Sequence, residues 1–364
     1  MSATLTRPAA RDSEVPAKKV KCVVWDLDHT LWNGILLEDE AVELRPGIAE
    51  ILRALDERGI LQSVASRNDH ERAMAHLHEL GVAEYFLHPH INWNAKGENV
   101  AGIAAALNLG LDSFLFVDDQ PFEREEVAFA APQVRTLDAA ELDGFLERPE
   151  LNPEFVTDDA RNRRRMYRAD EARQRDEEAF NGPSEAFLRT LGMRFLLTPC
   201  GEDDLKRAEE LTLRTNQLNT TGYTYSYDEL DAFRASPGHI LLAAGLDDRY
   251  GSYGKIGLAL VETGAEAWTL KLLLMSCRVM SRGVGTIMLG HIMALARDAG
   301  VRLRAEFKPN GRNRMMYVTY RFGGFREVAR DGDLQLLEHD LADVPPFPEY
   351  VQVEIRGVPP VPQS

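Results

Sequence analysis

Short apolar runs in the first part of the chain each end in polar residues that can carry chemistry. They are residues 22–25 before Asp26 and Asp28, 59–65 before Ser66, and 113–117 before Asp118 and Asp119. Apolar runs of this length, bounded by polar residues, are typical of buried β-strands. The pattern therefore predicts buried strands that are each followed by a candidate active-site residue.

The first run ends in two aspartates, Asp26 and Asp28, that are one residue apart. Residues at i and i+2 of an extended segment point the same way, so both carboxylates converge where the strand opens into a loop. One can attack a phosphoryl group and the other can move a proton. Two carboxylates held this close need a cation nearby, and the sequence therefore predicts a Mg²⁺ ion.

Further residues fit the handling of phosphate. Ser66 places a small hydroxyl at a strand end, ahead of polar residues that start a helix, and it can donate to a phosphoryl oxygen. Lys96 is a lone cation in a loop before a helix. Glu123 and Arg124 follow the paired acids and either order them or cap a helix start. In this order along the chain, the residues predict a phosphate-handling active site.

The second half has its own pattern of helices and strands. It predicts a helix over 203–215, strands over 239–244, 255–262 and 267–275, and a helix over 286–299. A loop rich in arginine and glycine, residues 277–285, leads into the helix at 286. Bare amides at a helix N-terminus form an anion-binding layout, which suits a pyrophosphate or the phosphate of phosphopantetheine.

Length and composition limit the class of protein. The 364 residues predict about two domains, and the net charge of −16 argues against a general nucleic-acid binder. The three cysteines have no metal-ligand spacing, which favours reduced thiols in a cytoplasm. Residues 1–18 lack the apolar core of a signal peptide, and no run approaches about 18 apolar residues. We therefore expect a cytoplasmic protein without membrane contact.

A shift in composition marks the predicted domain boundary. Residues 151–180 are charged and poor in large aliphatic side chains, with arginines interleaved with acids. Two interpretations stay open: a solvated connecting helix held by i,i+4 ion pairs, or a docking strip for an acidic partner. The predicted organisation is a disordered tail over 1–18, a first domain over 19–150, a charged helical linker over 151–180 and a second domain over 181–364.

The ordered set Asp-x-Asp, Ser, Lys and Asp-Asp resembles the four motifs of the haloacid dehalogenase superfamily of phosphotransferases, over residues 19–138. The resemblance implies an α/β, Rossmann-like domain with a parallel sheet, in which Asp26 is the nucleophile and Asp28 the general acid/base. The other implied roles are phosphoryl binding by Ser66 and Lys96, further phosphate contacts by Thr30, Arg67 and Asn68, and Mg²⁺ ligation by Asp26, Asp28, Asp118 and Asp119.

The loop at 277–285 resembles the acyl-coenzyme A motif of the GNAT acetyltransferases, Arg-x-x-Gly-x-Gly/Ala. Arg282 and Gly285 fit this motif, whereas Ile287 stands where glycine or alanine is expected. The resemblance implies an α+β acetyltransferase-like domain. The residues predicted to contact a pantetheine are Asn216, Gln217, Asn219, Arg278, Arg282, Gly283 and Gly285. For the three amides, a local capping network is an equal alternative.

Together the two halves resemble the FkbH-like glyceryl transferase/phosphatases of polyketide pathways. The residues that carry this resemblance are Trp-Asp-Leu-Asp-x-Thr-Leu-Trp from Trp25, Ser-Arg-Asn-Asp from Ser66, Ile-Asn-Trp-Asn from Ile91, Asp-Asp-Gln-Pro-Phe-Glu from Asp118 and Ser-Cys-Arg-Val from Ser276. The resemblance implies a cytoplasmic enzyme that dephosphorylates D-1,3-bisphosphoglycerate. It would load the glyceryl group as a thioester on the phosphopantetheine of an acyl carrier protein, for polyketide extender-unit or antibiotic biosynthesis. Because an acyl phosphate is already activated, we expect no nucleotide cofactor.

The role of Cys277 stays open. By the acetyltransferase resemblance it ends the strand that runs beside the acyl group, with Arg278 and Arg282 near enough in sequence to lower its pKa. It is either a covalent way-station for the glyceryl group or a core thiol beside a direct transfer. Two other functions also stay open: a Mg²⁺-dependent phosphatase fused to an acyltransferase that uses coenzyme A and an amine acceptor, and a carrier-docking scaffold with a vestigial phosphatase site.

Overall fold

The computed structural model describes residues 19–39, 41–215 and 217–357, so the predicted tail over 1–18 lies outside the described residues. The described chain divides into two compact units. Unit 1 takes the residues up to Val156 together with Ala160–Arg164, and unit 2 takes Thr157–Asp159 together with the residues from Arg165 onward. Each unit has its own hydrophobic core.

Unit 1 is built on a five-stranded parallel sheet. The strands of this unit are β1 (Cys22–Trp25), a short antiparallel pair β2 (Trp32–Asn33) and β3 (Glu43–Leu44), then β4 (Leu61–Ser66), β5 (His90–Ile91), β6 (Phe114–Asp118) and β7 (Arg135–Asp138). The order in the parallel sheet is β5-β4-β1-β6-β7. The apolar runs predicted as strands form its three central members, and every residue of these strands is buried.

Helices follow the strands of unit 1. They are α1 (Ile48–Glu57), α2 (His70–Glu79), α3 (Lys96–Ala106) and α4 (Pro121–Ala130). α1 buries Ile48, Leu52 and Leu55, a spacing that matches the helical period and turns one face to the core. α2 begins after Asp69, whose carboxylate accepts a hydrogen bond from the backbone N–H of Arg72 at 2.9 Å. Such contacts fix the loops between strand ends and helix starts.

The register of the central strands determines where the candidate site lies. β1 is paired in parallel with β4 on one side and β6 on the other. The pairing continues one residue past β1, because the backbone N–H of Asp26 donates to the carbonyl of Val117 at 2.9 Å. Parallel strands present their carboxyl ends at one edge of the sheet, so Asp26, Ser66 and Asp118 lie at the same edge.

Unit 2 contains an eight-stranded mixed sheet. Its strands are β8 (Met193–Pro199), β9 (His239–Asp248), β10 (Gly251–Glu262), β11 (Ala267–Met275), β12 (Arg302–Phe307), β13 (Arg326–Asp331), β14 (Leu334–His339) and β15 (Val351–Ile355). The order is β13-β14-β12-β11-β10-β9-β8-β15. β11 and β12 are parallel, as are β8 and β15, and the other neighbours are antiparallel.

The remaining helices are α5 (Asp158–Arg161), α6 (Arg163–Ala179), α7 (Ser184–Thr190), α8 (Leu205–Arg214), α9 (Tyr227–Ala235), α10 (Gly285–Asp298) and α11 (Arg314–Phe322). Alternate residues of the sheet face opposite layers, as the two-residue period of a strand requires. Leu242 and Ala244 join the core that includes α10, whereas Leu241 and Ala243 pack with α8 and α9. No helix in the described ranges combines the length and the apolar character needed to span a bilayer.

The predicted fold class is confirmed: a parallel α/β unit is followed by an α+β unit. The helix predicted over 286–299 is α10. The predicted strands are β9, β10 and β11, but β9 runs on to Asp248 and β10 begins at Gly251 because the two form one long hairpin with shifts in register. Polar residues near this hairpin, such as Asp247 and Ser252, concealed its length in the sequence.

The charged stretch predicted over 151–180 is not uniformly solvated, and the interpretation as a solvated helix is wrong for two of its arginines. Arg163 is buried and donates to the carbonyl of Gly59 at 2.6 Å. Arg173 is 1% exposed; its guanidinium bonds both carboxylate oxygens of Asp248, at 2.6 and 2.9 Å, and lies 3.9 Å from the ring centroid of Tyr253. In unit 2, Arg173 therefore fixes α6 against β9 and β10.

Arg173→Met is expected to destabilise unit 2 by about 3–5 kcal/mol, because it leaves the buried Asp248 carboxylate without its cation. Urea unfolding monitored by circular dichroism measures the loss. Arg189→Met is the matched control: Arg189 forms an exposed i,i+4 pair with Glu185, and its loss should cost less than about 1 kcal/mol. Equal effects of the two substitutions would contradict a special role for the buried pair.

Candidate active site

The site in unit 1 is centred on the carboxylate of Asp26 at the end of β1. Asp26 is 6% exposed, and Ser66 at the end of β4 is 1% exposed and donates a hydrogen bond to the Asp26 carboxylate. The ammonium Nζ of Lys96 lies 2.5 Å from Oδ1 of Asp26. The structure thus brings together the predicted nucleophile, the predicted hydroxyl donor and the predicted cation, which lie far apart in the sequence.

Lys96 is the first residue of α3 and is 1% exposed, so its ammonium depends on protein partners in place of water. Besides Asp26, Nζ contacts Oδ2 of Asp118 at 2.8 Å and Oε2 of Glu123 at 2.5 Å. Its backbone N–H donates to Oε2 of Glu126 at 3.0 Å. Residues from two strand ends and from α4 therefore hold this lysine at both its backbone and its side chain.

Burial and charge shift the pKa values of these groups in different directions. Burial raises the pKa of Asp26, an effect opposed by the charge of Lys96 and by hydrogen bonds from Lys96 and Ser66. Burial, together with the charge of Asp26, raises the pKa of Asp118 to about 7. Burial alone would lower the pKa of Lys96, but the charges of Asp26, Asp118 and Glu123 outweigh it and raise this pKa. Lys96 is therefore a permanent cation.

Carboxylate oxygens of Asp26, Asp118 and Glu123 lie within 4.8 Å of one another, a spacing at which they could hold a metal ion. Three carboxylates meet the ammonium of Lys96 and, at Glu123, the guanidinium of Arg67, so one negative charge is left over when all three are ionised, and a bound cation would balance it. Oδ1 of Asp119 is also buried without a hydrogen-bond partner in the described chain. Oxygen ligands of this kind suit Mg²⁺, which would supply charge neutralisation to a phosphoryl group.

The structure gives the acidic cluster a different third member from the one predicted, because Glu123 takes the place expected for the Asp28 carboxylate. The Asp28 carboxylate is held in its loop instead: Oδ1 accepts from the indole N–H of Trp32 at 2.8 Å and from the backbone N–H of Leu36 at 3.1 Å. Its Oδ2 accepts from the side-chain amide of Asn68 at 3.1 Å. These donors orient Asp28 without drawing it into the cluster.

Three residues predicted to contact phosphate have protein partners. The amide of Asn68 bonds Asp28, and Oγ1 of Thr30 accepts from the backbone N–H of Asp119 at 3.0 Å. Arg67 pairs with Glu123 at 3.0 Å and with Glu126 at 3.2 Å. The predictions that Thr30, Arg67 and Asn68 bind phosphate directly therefore do not match the geometry, in which they brace the loops around the site. Their sequence neighbours gave no sign of these partners.

Glu123 and Glu126 are the functional candidates that sequence reasoning left undecided or missed. Glu123 was predicted either to order the paired acids or to cap a helix, and it contacts Lys96. Arg124 fixes the backbone at Asp118, because it donates to the carbonyl of that residue at 2.8 Å, and it also pairs with Asp138 at 2.6 Å. The spacing of Glu123 and Glu126 on α4, three residues apart on one helical face, was the available signal.

In unit 2, the loop predicted to bind pantetheine is a 3-10 helix, Cys277–Arg282, that precedes α10. β11 ends at Met275, so Cys277 opens this helix and is half-buried. Arg278 donates to the carbonyl of Tyr253 at 2.8 Å. Arg282 is 5% exposed and pairs with Glu177 at 2.9 Å. The prediction that these arginines reach a pantetheine phosphate therefore conflicts with their burial and partners.

The two glycines predicted for the same loop have different surroundings. Gly283 has φ +68°, and a Cβ built on it would lie 2.1 Å from the hydroxyl of Tyr350, so both the backbone angle and the space require glycine. Gly285 begins α10, and nothing lies within 4 Å of a Cβ built on it. Gly285 leaves open space at the helix start, whereas Gly283 is fixed by packing.

The amide-rich segment forms a local network, the alternative that the sequence left open. Asn216 lies outside the described residues, and Gln217 is half-buried. Asn219 is fully buried: its side-chain oxygen accepts from the backbone N–H groups of Thr221 and Gly222, and its amide donates to the carbonyl of Tyr223. Every one of these contacts is internal, so the prediction that Asn219 contacts pantetheine does not match its geometry.

The same segment closes the gap between two strands. β11 and β12 are paired only as far as Leu270 and Ala305. Beyond that point, the backbone N–H of Thr220 donates to the carbonyl of Leu273 at 3.1 Å, and the carbonyl of Thr220 accepts from the backbone N–H of Lys308 at 3.0 Å. The backbone N–H of Met275 donates to Leu218 at 2.9 Å. The edge of β11 expected to face an acyl group is therefore covered by residues 218–220.

Comparison with solved structures finds likenesses that each cover part of the chain. The N-terminal part of a Bacteroides fragilis protein, which contains a phosphatase domain and was solved with Mg, is 29% identical over 37% of this chain and 41% of that one, with a TM-score of 0.32. A HAD-superfamily hydrolase from Ehrlichia chaffeensis is 14% identical over 35% of this chain and 97% of that one, with a TM-score of 0.29.

This chain is also similar to the PaiA N-acetyltransferase of Thermoplasma acidophilum, solved in complex with coenzyme A. The two are 16% identical over 40% of this chain and 98% of that one, with a TM-score of 0.33. Neither a family model nor a curated protein matches this chain. The strand orders of the two units are those of a parallel α/β unit followed by an α+β unit with a mixed sheet.

Mg²⁺ is expected to stabilise the protein more at about pH 8 than at about pH 6. The pKa of Asp118 rises from 3.8 to about 7 on folding without metal, so this group favours the folded metal-free protein at low pH. The stability that Asp118 gives to the metal-free protein is lost as the pH rises from 3.8 through about 7. Mg²⁺ then takes the place of the proton on the Asp118 carboxylate. Thermal melts with and without Mg²⁺ measure the difference. An equal rise in Tm at both pH values would contradict the raised pKa.

Proposed function

We propose that this chain is a Mg²⁺-dependent phosphatase and glyceryltransferase. It removes phosphate from D-1,3-bisphosphoglycerate and transfers the glyceryl group to the phosphopantetheine thiol of an acyl carrier protein. The observation that carries the phosphatase half is the buried Asp26 carboxylate, held 2.5 Å from the Lys96 ammonium beside Asp118 and Glu123. The transferase half and the carrier rest on the sequence resemblance over nearly the whole chain.

The residues of unit 1 suit the removal of a phosphate ester. An oxygen of Asp26 attacks phosphorus, the bond from phosphorus to the substrate oxygen breaks, and Asp28 gives its proton to that oxygen. Lys96 and the hydroxyl of Ser66 hold the phosphoryl oxygens. Water then attacks the phosphoryl group on Asp26 as Asp28 takes a proton from it, the bond from phosphorus to the Asp26 oxygen breaks, and inorganic phosphate leaves the restored carboxylate. Phosphoryl transfer is mostly positioning and charge neutralisation, which this buried cluster supplies.

The acyl phosphate end of the substrate needs no further activation. A thiolate attacks its carbonyl carbon, a carbon–sulfur bond forms, and phosphate leaves as the carbon–oxygen bond breaks. The reaction consumes no nucleotide. Residues 218–220 cover the edge of β11 along which coenzyme A would lie in the alternative function, and the pantetheine of a carrier would meet the same covered edge.

Intact mass of the carrier tests this proposal. A holo acyl carrier protein is incubated with the enzyme, Mg²⁺ and D-1,3-bisphosphoglycerate, and the carrier should gain the mass of a glyceryl or phosphoglyceryl group. The adduct should be released by hydroxylamine, as thioesters are. A carrier whose mass does not change would refute the transferase. Acetylation of an amine by acetyl-coenzyme A would support the alternative function instead.

Asp26→Asn is expected to lower the release of phosphate from the phosphate ester by at least about a thousandfold, because the amide is a poor nucleophile of nearly the same shape. Circular dichroism should show an unchanged fold. Asp143→Asn, at an exposed aspartate of the same unit, is the control and should release phosphate at the wild-type rate. Phosphate release by Asp26→Asn at a rate close to wild type would remove Asp26 from the mechanism.

Cys277→Ala separates covalent from direct transfer. If Cys277 carries the glyceryl group, enzyme incubated with bisphosphoglycerate alone gains an adduct that hydroxylamine releases, and the variant loses both this adduct and carrier loading. Phosphate release at Asp26 should persist in the variant. Cys200→Ala, which removes a buried thiol elsewhere in unit 2, is the control and should keep the adduct. Carrier loading by Cys277→Ala at a comparable rate would establish direct transfer to the pantetheine.

A further inference from the structure

Of the arginines in the stretch 151–180, Arg163, Arg164 and Arg173 are held by contacts within their own units, whereas Arg161, Arg165, Arg168 and Arg175 are exposed but interleaved with acidic residues. Arg163, Arg173 and Arg282 are buried, and Arg164 pairs with Asp56 at 2.9 Å and with Glu84 at 3.0 Å. A partner of negative charge, meeting a chain of net charge −16, would be attracted most by a surface whose basic residues are not interleaved with acidic ones. The described surface of unit 2 offers one.

Residues 308–326 hold five basic and no acidic residues, the reverse of the balance in the whole chain. They are Lys308, Arg312, Arg314, Arg321 and Arg326. Helix α11 lies at their centre. Its inner face is fixed to the unit 2 core by Met316 and Tyr320, which are 4% and 0% exposed, so the outward side chains stand on a rigid support. Arg314 and Arg321 lie on this outward side and are exposed.

The outward side of α11 combines these charges with apolar surface. A cavity of about 380 Å³ is lined by Arg314, Tyr317, Val318, Arg321 and Phe322. Phe322 is 90% exposed and Met315 is 51% exposed, both unusual for large apolar side chains. Aromatic residues and arginine are the side chains that most often dominate binding energy at protein interfaces. We call the five lining residues the α11 surface.

We propose that the α11 surface is the docking site for the acidic, helical acyl carrier protein whose loading is proposed above, and the inference rests on that proposed function. Arg314 and Arg321 would pair with carboxylates of the carrier, while Phe322 packs on an apolar position between them. Elsewhere the net negative charge of the enzyme repels such a partner, so the attraction is confined to this surface.

The size and charge of the surface favour a protein over a nucleic acid or a membrane. α11 has nine residues and so spans about 13 Å, which matches one helix of a small partner. A long polyanion or an anionic bilayer would extend beyond this patch over a chain of net charge −16. The acidic helix of a carrier presents both the carboxylates and the apolar side chains that this surface complements.

The test measures binding and catalysis separately. Affinity for a fluorescently labelled holo acyl carrier protein is measured by anisotropy, and glyceryl transfer is measured to the same carrier and to free pantetheine. Arg314→Glu/Arg321→Glu should weaken carrier binding at least about tenfold, and Phe322→Ala should weaken it severalfold. Phosphate release and transfer to free pantetheine should stay at wild-type rates. The wild-type affinity should fall as salt rises, and the affinity of the double variant should not.

Arg53→Glu/Arg72→Glu, which reverses two exposed charges in unit 1, is the matched control and should bind the carrier like the wild type. Unchanged carrier affinity in the α11 variants, or no measurable affinity in the wild type, would overturn the docking site. Tighter binding of a DNA duplex or of anionic vesicles that is lost in the α11 variants would also overturn it. Carrier binding that depends on α11 without any transfer would leave the docking site in place and refute the proposed transferase.

Discussion

The ammonium of Lys96 is the group on which the geometry of unit 1 depends. It is 1% exposed and contacts carboxylates of Asp26, Asp118 and Glu123. A buried cation is tolerated only when its partners are fixed, and a buried carboxylate has the same requirement. The parallel strands and α4 provide this, because they end or begin at one edge of the sheet. The acidic cluster is therefore preorganised before any substrate arrives.

Arg67 extends this arrangement outward from the cluster. Its guanidinium pairs with Glu123 and Glu126, and these carboxylates contact the ammonium and the backbone N–H of Lys96. Burial would raise the pKa of Glu123, but the charges of Lys96 and Arg67 outweigh it and lower this pKa. Glu123 thus stays ionised beside Asp118, whose pKa is raised. Two neighbouring carboxyl groups with pKa values moved apart are the usual basis for distinct roles in one site.

The sequence predicted the residues at the strand ends well, because a buried apolar run followed by a polar residue can be recognised within one short segment of the chain. Asp26, Ser66, Lys96 and Asp118 meet as the predicted order requires. It predicted pairings across the fold poorly: Asn68 with Asp28, Arg67 with Glu123, and Thr30 with Asp119. These depend on the approach of separate loops. Arg173 shows the same limit, since its partner Asp248 lies in another element.

The closed edge of β11 bears on how a thiol could reach an acyl group in unit 2. Backbone hydrogen bonds of residues 218–220 join β11 to the residue after β12, and the amide of Asn313 donates to the carbonyls of Asn219 and Lys308. Opening this edge would break several such bonds, each worth about 0.5–1.5 kcal/mol net.

Asn313 is also the N-cap residue of α11. A partner bound on α11 would therefore act on the element that fixes this segment, and its binding energy could offset the cost of opening. If the edge stays closed, the transfer proposed above has to occur outside it, and the half-buried Cys277, two residues after the end of β11, is then the candidate thiol.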